Sequence, residues 1–204
     1  MQKIIIIIIA LFLSFSANAQ EISKIQKAFE NSYKFEKDNN LNESINKLIE
    51  VYSDTSYEIN LRLGWLYYQK GDFKSSEKYY SIASAILPYS EEAKYGLILP
   101  MAANAKWDAV AVIYKQILTI SPNNVTANYR LGLLYYNQKK FGYAQALFEK
   151  VVNLYPFGYD GLIMYAWNSL QLGKSKEARI LFNKVLIYSP NDKSALEGLA
   201  ILDK

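Results

Sequence analysis

The stretch Leu131–Pro156, LGLLYYNQKKFGYAQALFEKVVNLYP, decides the fold. It reads as two helices joined by a tight turn. Two antiparallel helices touch closely only where a small residue sits at the crossing, and Gly132 and Ala144 supply one on each. The Phe148 ring then fills the wedge between this hairpin and its neighbour. Pro156 stops the second helix, because proline lacks the amide donor and clashes with the preceding turn.

Outward from this stretch the pattern returns every 34 residues, the kind of period to be sought before any other feature. Pro88, Pro122, Pro156 and Pro190 keep that step, and they are four of the five prolines. Ser56, Ser90, Asn124, Gly158 and Asp192 keep it too, and all five are residue types that begin helices. Ser76, Val110, Ala144 and Ala178 form another column, small at all but Val110, and rings recur at Tyr80, Tyr114, Phe148 and Phe182. Gly64 pairs with Gly132 two periods on, and Gly71 with Gly173 three periods on, where the chain turns. These columns predict helix pairs at about 57–87, 91–121, 125–155 and 159–189. A degenerate pair is predicted at 25–53, with no proline after it. A last helix over 193–202 carries Leu196, Leu199 and Leu202 on one face, and its other face is free to cap the stack.

The residues now on view resemble the tetratricopeptide repeat family. Leu63-Gly64-Trp65-Leu66-Tyr67-Tyr68, then Gly71-Asp72-Phe73, Ser76, Tyr80, Ala83 and Pro88 follow its pattern. Leu131-Gly132, Tyr135, Phe141, Ala144, Phe148 and Pro156 follow it more closely. The resemblance covers about residues 25–202. It implies an all-α, right-handed α-solenoid of stacked helix-turn-helix hairpins with a C-terminal capping helix. The implied domain is 20–204, with a degenerate repeat at about 25–56, repeats at about 57–90, 91–124, 125–158 and 159–192, and the cap at 193–202.

In that family the first helix of each pair lines the inside of the superhelix, so the resemblance also implies a binding face. Register places Arg62, Trp65 and Tyr68 on it, then Tyr95 and Leu99, then Tyr129, Arg130, Leu133 and Tyr136, then Met164 and Trp167. Phe29 and Tyr33 fall there in the degenerate pair. Tyr and Trp offer apolar area with a polar handle, as interfaces favour. Arg62 and Arg130, two periods apart, have the geometry to hold a partner's carboxylates bidentately. The other reading is that these rings pack between neighbouring first helices as core. Repeat 91–124 is unusual in carrying Gly96 and Pro100 in its first helix. Gly96 leaves room for a bend at the proline, and the feature reads either as a curvature-setting kink or as a pocket at mid-stack.

Composition excludes much else. With no cysteine there is no disulfide and no lipid-bearing thiol; with no histidine the commonest general base and metal ligand are gone. No phosphate-cradling glycine loop is present, so no catalytic residue, metal or cofactor is expected. Glu91-Glu92 begin a helix, where negative charge suits the helix dipole. The formal charge of +4 is small and the lysines lie among acidic residues, which argues against nucleic acid.

Residues 1–19 read as a cleavable signal peptide: Lys3, an apolar run from Ile4 to Phe15, then Ala17-Asn18-Ala19 before Gln20. The alternative is an uncleaved anchor, against which stands an apolar run shorter than the roughly 20 residues a span needs. The expectation is thus a periplasmic, non-enzymatic adaptor of a Gram-negative bacterium. It binds a protein or peptide segment, with no stable membrane insertion after cleavage and a place in an envelope complex. The alternative is a glycan-associated envelope protein, since Trp and Tyr platforms also stack on sugars.

Overall fold

The computed structural model describes the backbone of residues 2–203 and the side chains of residues 20–203. The signal-peptide reading of 1–19 therefore lies outside the described side chains. Among the described residues all regular structure is helical, and no helix is long and apolar enough to cross a membrane. The chain groups into two compact units, residues 1–104 and 105–204. The first holds α1 (Gln2–Lys37), α2 (Leu41–Ile49), α3 (Tyr57–Gln69), α4 (Phe73–Ile86) and α5 (Glu91–Ala103). There α1 pairs with α2 and α3 with α4, and α5 packs on both α3 and α4. The second holds α6 (Trp107–Ile120), α7 (Val125–Asn137), α8 (Phe141–Leu154), α9 (Tyr159–Gln171), α10 (Ser175–Tyr188) and α11 (Lys193–Leu202). There α7 pairs with α8 and α9 with α10, α9 contacts α7, and α11 packs on α9 and α10.

The 34-residue columns correspond to physical devices. Four first helices begin with a side chain that accepts an otherwise orphaned amide. Ser56 takes the amide of Ile59 at 3.3 Å, Ser90 that of Ala93 at 3.2 Å, Asn124 that of Ala127 at 2.9 Å and Asp192 that of Ala195 at 2.8 Å. Gly158 fills the same place without a side-chain bond. The turns that follow α3, α5, α7 and α9 need one left-handed residue each. Gly71 (φ 82°), Ala105 (φ 53°), Lys139 (φ 57°) and Gly173 (φ 71°) provide it. Glycine adopts this freely, whereas Ala105 and Lys139 hold it at a steric cost of about 1–2 kcal/mol each.

The ring column is the core. A Cβ built on Gly132 would lie 2.7 Å from Phe148, and one on Gly198 would lie 2.2 Å from Phe182. The Tyr80 ring rests on two glycines, Gly64 at 2.7 Å and Gly96 at 2.2 Å by the same construction. This adds a packing role to the sequence reading of Gly96. Its missing side chain accommodates the Tyr80 ring, and α5 runs on through the buried Pro100 to Ala103.

A second column escaped the sequence reading. Asn60, Lys94 and Asn128 stand 34 apart and are all buried. Each sends a terminal nitrogen back to the loop preceding its helix. Asn60 donates to the carbonyl of Ser56 at 2.7 Å, Asn128 to those of Asn124 at 2.8 Å and Pro122 at 3.1 Å, and Lys94 to that of Pro88. Burial holds the Lys94 ammonium below the usual lysine range. Different residue types thus do one job, tying the start of a first helix to carbonyls at or just before its N-cap.

Candidate functional site

In the first unit the inner-face residues assemble around an ion pair. Phe29, Tyr33 and Glu36 lie at i, i+4 and i+7 on α1, so they share one face. On α3, Arg62, Trp65 and Gln69 do the same. The Glu36 carboxylate accepts from Arg62, from the Trp65 indole at 2.9 Å and from the Gln69 amide at 2.8 Å. The Arg62 guanidinium also lies over the Tyr33 ring, 4.1 Å from its centroid. Burial pushes the Glu36 carboxyl up, but the hydrogen bonds from Arg62 and Trp65 outweigh it and hold the group below its ordinary value.

Beside this pair opens a cavity of about 560 Å³, within the range of ligand pockets. Aromatic rings from three helices line it: Phe29 and Tyr33 of α1, Tyr57 and Trp65 of α3, and Tyr80 of α4. Glu58, Leu61, Arg62, Glu92 and Gly96 complete it. Trp65 is 37% exposed, whereas Arg62 is only 9% exposed. Burial, followed by the nearby Glu92 charge, raises the Tyr80 phenol well above its usual range. The Tyr57 hydroxyl reaches across to α5, 2.8 Å from the Ser90 hydroxyl, and donates to Glu92 at 3.1 Å.

The structure thus brings Arg62 and Trp65 together at one cavity. Tyr68 stands behind Trp65, with centroids 6.1 Å apart, and Tyr95 and Leu99 are half-buried on α5 outside the cavity lining. In the second unit Tyr129, Leu133, Tyr136, Met164 and Trp167 are partly buried against the core around Phe148 and Phe182. The Trp167 ring meets Phe182 edge-on at 5.2 Å, and its indole donates to Ser194 at 2.8 Å. Arg130 is exposed. The two arginines at equivalent positions therefore differ: Arg62 already holds a carboxylate of its own chain. Pro100 does not line this cavity.

Sequence reasoning missed Glu36, and missed Glu58 and Glu92 as a pair. The available signal was their spacing, since Glu58 and Glu92 are 34 apart. Among the described residues no group of three or more acidic side chains is arranged to hold a metal ion.

Comparison with known proteins agrees with the architecture. Models of the tetratricopeptide repeat match residues 57–81 and 126–157. Over 175 residues the chain is 27% identical to the Protein CTR9 homolog of Arabidopsis thaliana. That alignment covers 76% of this chain and 16% of the plant protein, so the chain spans about a sixth of that relative's length. A tetratricopeptide repeat protein from Parabacteroides merdae superposes with a TM-score of 0.72 at 19% identity, over 88% of this chain and 72% of that one. YrrB, a TPR protein with an unusual peptide-binding site, gives 0.70 at 13%, over 91% and 97%. MamA from Desulfovibrio magneticus gives 0.66 at 17%, over 83% and 98%. At these identities the structural likeness establishes the fold.

Proposed function

Because the chain is a tetratricopeptide repeat protein, we propose that it works as a non-enzymatic scaffold in the periplasm, holding a segment of a partner protein against its first-helix faces. The fold supports a protein–protein interaction scaffold. The observation that carries the finer reading is Trp65, a large ring left 37% exposed at the mouth of an aromatic cavity. A tryptophan grouped with other rings around a cavity offers the large apolar area with a polar handle that interaction anchors use. The ground for the periplasm is the leader-like stretch Lys3–Ala19.

The test is an in-cell crosslink from these faces, with the captured partner and the protein's own mass read together by mass spectrometry. The partner should be recovered from the unmodified protein and lost from the double variant Trp65→Ala, Tyr129→Ala. Each anchor should contribute on the order of 2 kcal/mol of binding. The crosslinked protein should begin at Gln20. Undiminished recovery from the double variant, with its melt unchanged, would remove this face from the function. Lys3 retained in membrane fractions would replace the periplasmic reading with an anchored one. Recovery of cell-wall polymer in place of a protein would favour the glycan alternative.

A further inference from the structure

We propose that the first-unit cavity is the seat of a lysine or arginine side chain from the partner segment. This rests on the scaffold reading and adds the chemistry of what the scaffold recognises.

The charge balance carries the inference. Arg62, the cavity's own cation, is matched by Glu36. Glu58 and Glu92 also line the cavity, and among the described residues neither forms an ion pair. Glu58 accepts from the Ser56 hydroxyl at 3.1 Å and Glu92 from the Tyr57 hydroxyl at 3.1 Å, both neutral donors. Two negative charges therefore stand unmatched over aromatic walls. Each glutamate occupies the first turn of its helix, where the dipole tolerates it. The dipole does not account for their opening on one cavity. They do so because α3 and α5 pack side by side and the two residues share a register.

A basic side chain suits each part of this arrangement. Its aliphatic stem lies along the rings of Phe29, Tyr33 and Trp65, as long cationic side chains lie on apolar surface. Its charged end gains from the ring faces and from the two carboxylates. An acidic group would meet Glu58 and Glu92 with its complement, Arg62, already engaged. A purely apolar group would strip water from two carboxylates and return nothing.

A second observation comes from Arg62 itself. It is nine-tenths buried, it lines the cavity, and its Nε has no hydrogen-bond partner. Buried guanidinium donors are normally all satisfied. The Nε is closed to solvent in this structure, and the carbonyl of a peptide backbone is an acceptor that would complete it once a small shift opens it. This favours a basic residue within an extended peptide over a free small cation, which brings no such acceptor.

The test uses the whole protein, ¹⁵N-labelled, and the indole signal of Trp65, one of three tryptophans, identified with Trp65→Phe. The probes are acetyl-Ala-Leu-Xaa-Leu-Ala-amide peptides with Xaa as lysine, norleucine or glutamate. The lysine peptide should shift the Trp65 signal saturably, and the norleucine peptide should bind at least about tenfold more weakly. The glutamate peptide should leave the signal in place. The double variant E58Q, E92Q should bring the lysine peptide down to the level of the norleucine one. Should that variant fold poorly, added salt does the same work on the unmodified protein, weakening the lysine peptide and sparing the norleucine one. Equal binding of lysine and norleucine peptides would overturn the proposal and leave the scaffold reading standing. A preference for glutamate, or no Trp65 shift with any probe, would also overturn it. Loss of partner capture is read separately and bears on the scaffold reading alone.

Discussion

Replacing Phe148 with alanine should destabilise the second unit by about 3–5 kcal/mol. The ring is fully buried and packs among Ala144, Leu162 and Ala166. What makes the loss large is the neighbour it rests on. Gly132 has no side chain that could swing into the space, and Ala144 and Ala166 have only methyl groups. The helix backbones already touch through these small residues, so the void cannot close by a rotamer change. The melting temperature of a unit this size should fall by at least roughly 12 °C. The control is Lys140→Ala, an exposed change that should stay within about 0.5 kcal/mol. Denaturant melts giving Phe148→Ala a cost near that of the control would mean that α7 and α8 do not pack through this ring.

Glu36→Ala should cost about 3 kcal/mol, the lower end for one partner lost from a buried ion pair. Arg62 would keep its charge at 9% exposure with its ion-pair partner gone, while Trp65 and Gln69 would lose their acceptor. The lower end applies because the Glu36 side chain itself is 20% exposed, so water relieves part of the penalty. The pH dependence has a definite sign. The Glu36 carboxyl titrates below its ordinary value of 4.5 in the folded protein, so its contribution is fully present above that value. It is lost as the pH falls through the lowered folded value. Melts of the unmodified protein and Glu36→Gln, compared at neutral and strongly acidic pH, should therefore converge in acid. A gap between them that is unchanged in acid, or a Glu36→Ala cost no greater than that of Lys140→Ala, would show that the pair contributes little.

The helical hairpins were legible because one mechanical solution is written four times. Any single cap such as Asn124 is weak evidence, but Ser56, Ser90, Asn124, Gly158 and Asp192 at equal steps of 34 leave little room for another register. The ion pair at the cavity was not legible, and the reason is a slip in that register. The left-handed turn residue before α2 is Asn39, where a strict period back from Gly71 would put Lys37. The first hairpin is thus out of step, and although its inner face carries Glu36 with Phe29 and Tyr33, the equivalent places in later repeats are Tyr68, Ala102, Tyr136 and Leu170, so no column of carboxylates draws attention to it. Read without that partner, Arg62 looks like Arg130, an arginine free to receive a ligand. Glu92 was hidden differently: a carboxylate in the first turn of a helix already has a sufficient local explanation, which masked its alignment with Glu58. The buried column of Asn60, Lys94 and Asn128 was missed because chemical similarity, not donor position, guided the comparison.

The Tyr80 ring, resting on Gly64 of its own hairpin and Gly96 of the next, has a consequence for how the first unit comes apart. Opening α5 would bare one face of a ring whose other face supports α3, so the opened state loses packing on both sides of the break. Repeat stacks hold together through such nearest-neighbour terms. Here the term passes through a single side chain with almost no freedom to re-pack, since glycine backbone lies on two sides of it. Fraying from α5 inward is therefore penalised, and α3, α4 and α5 should exchange their amide hydrogens as one cooperative block.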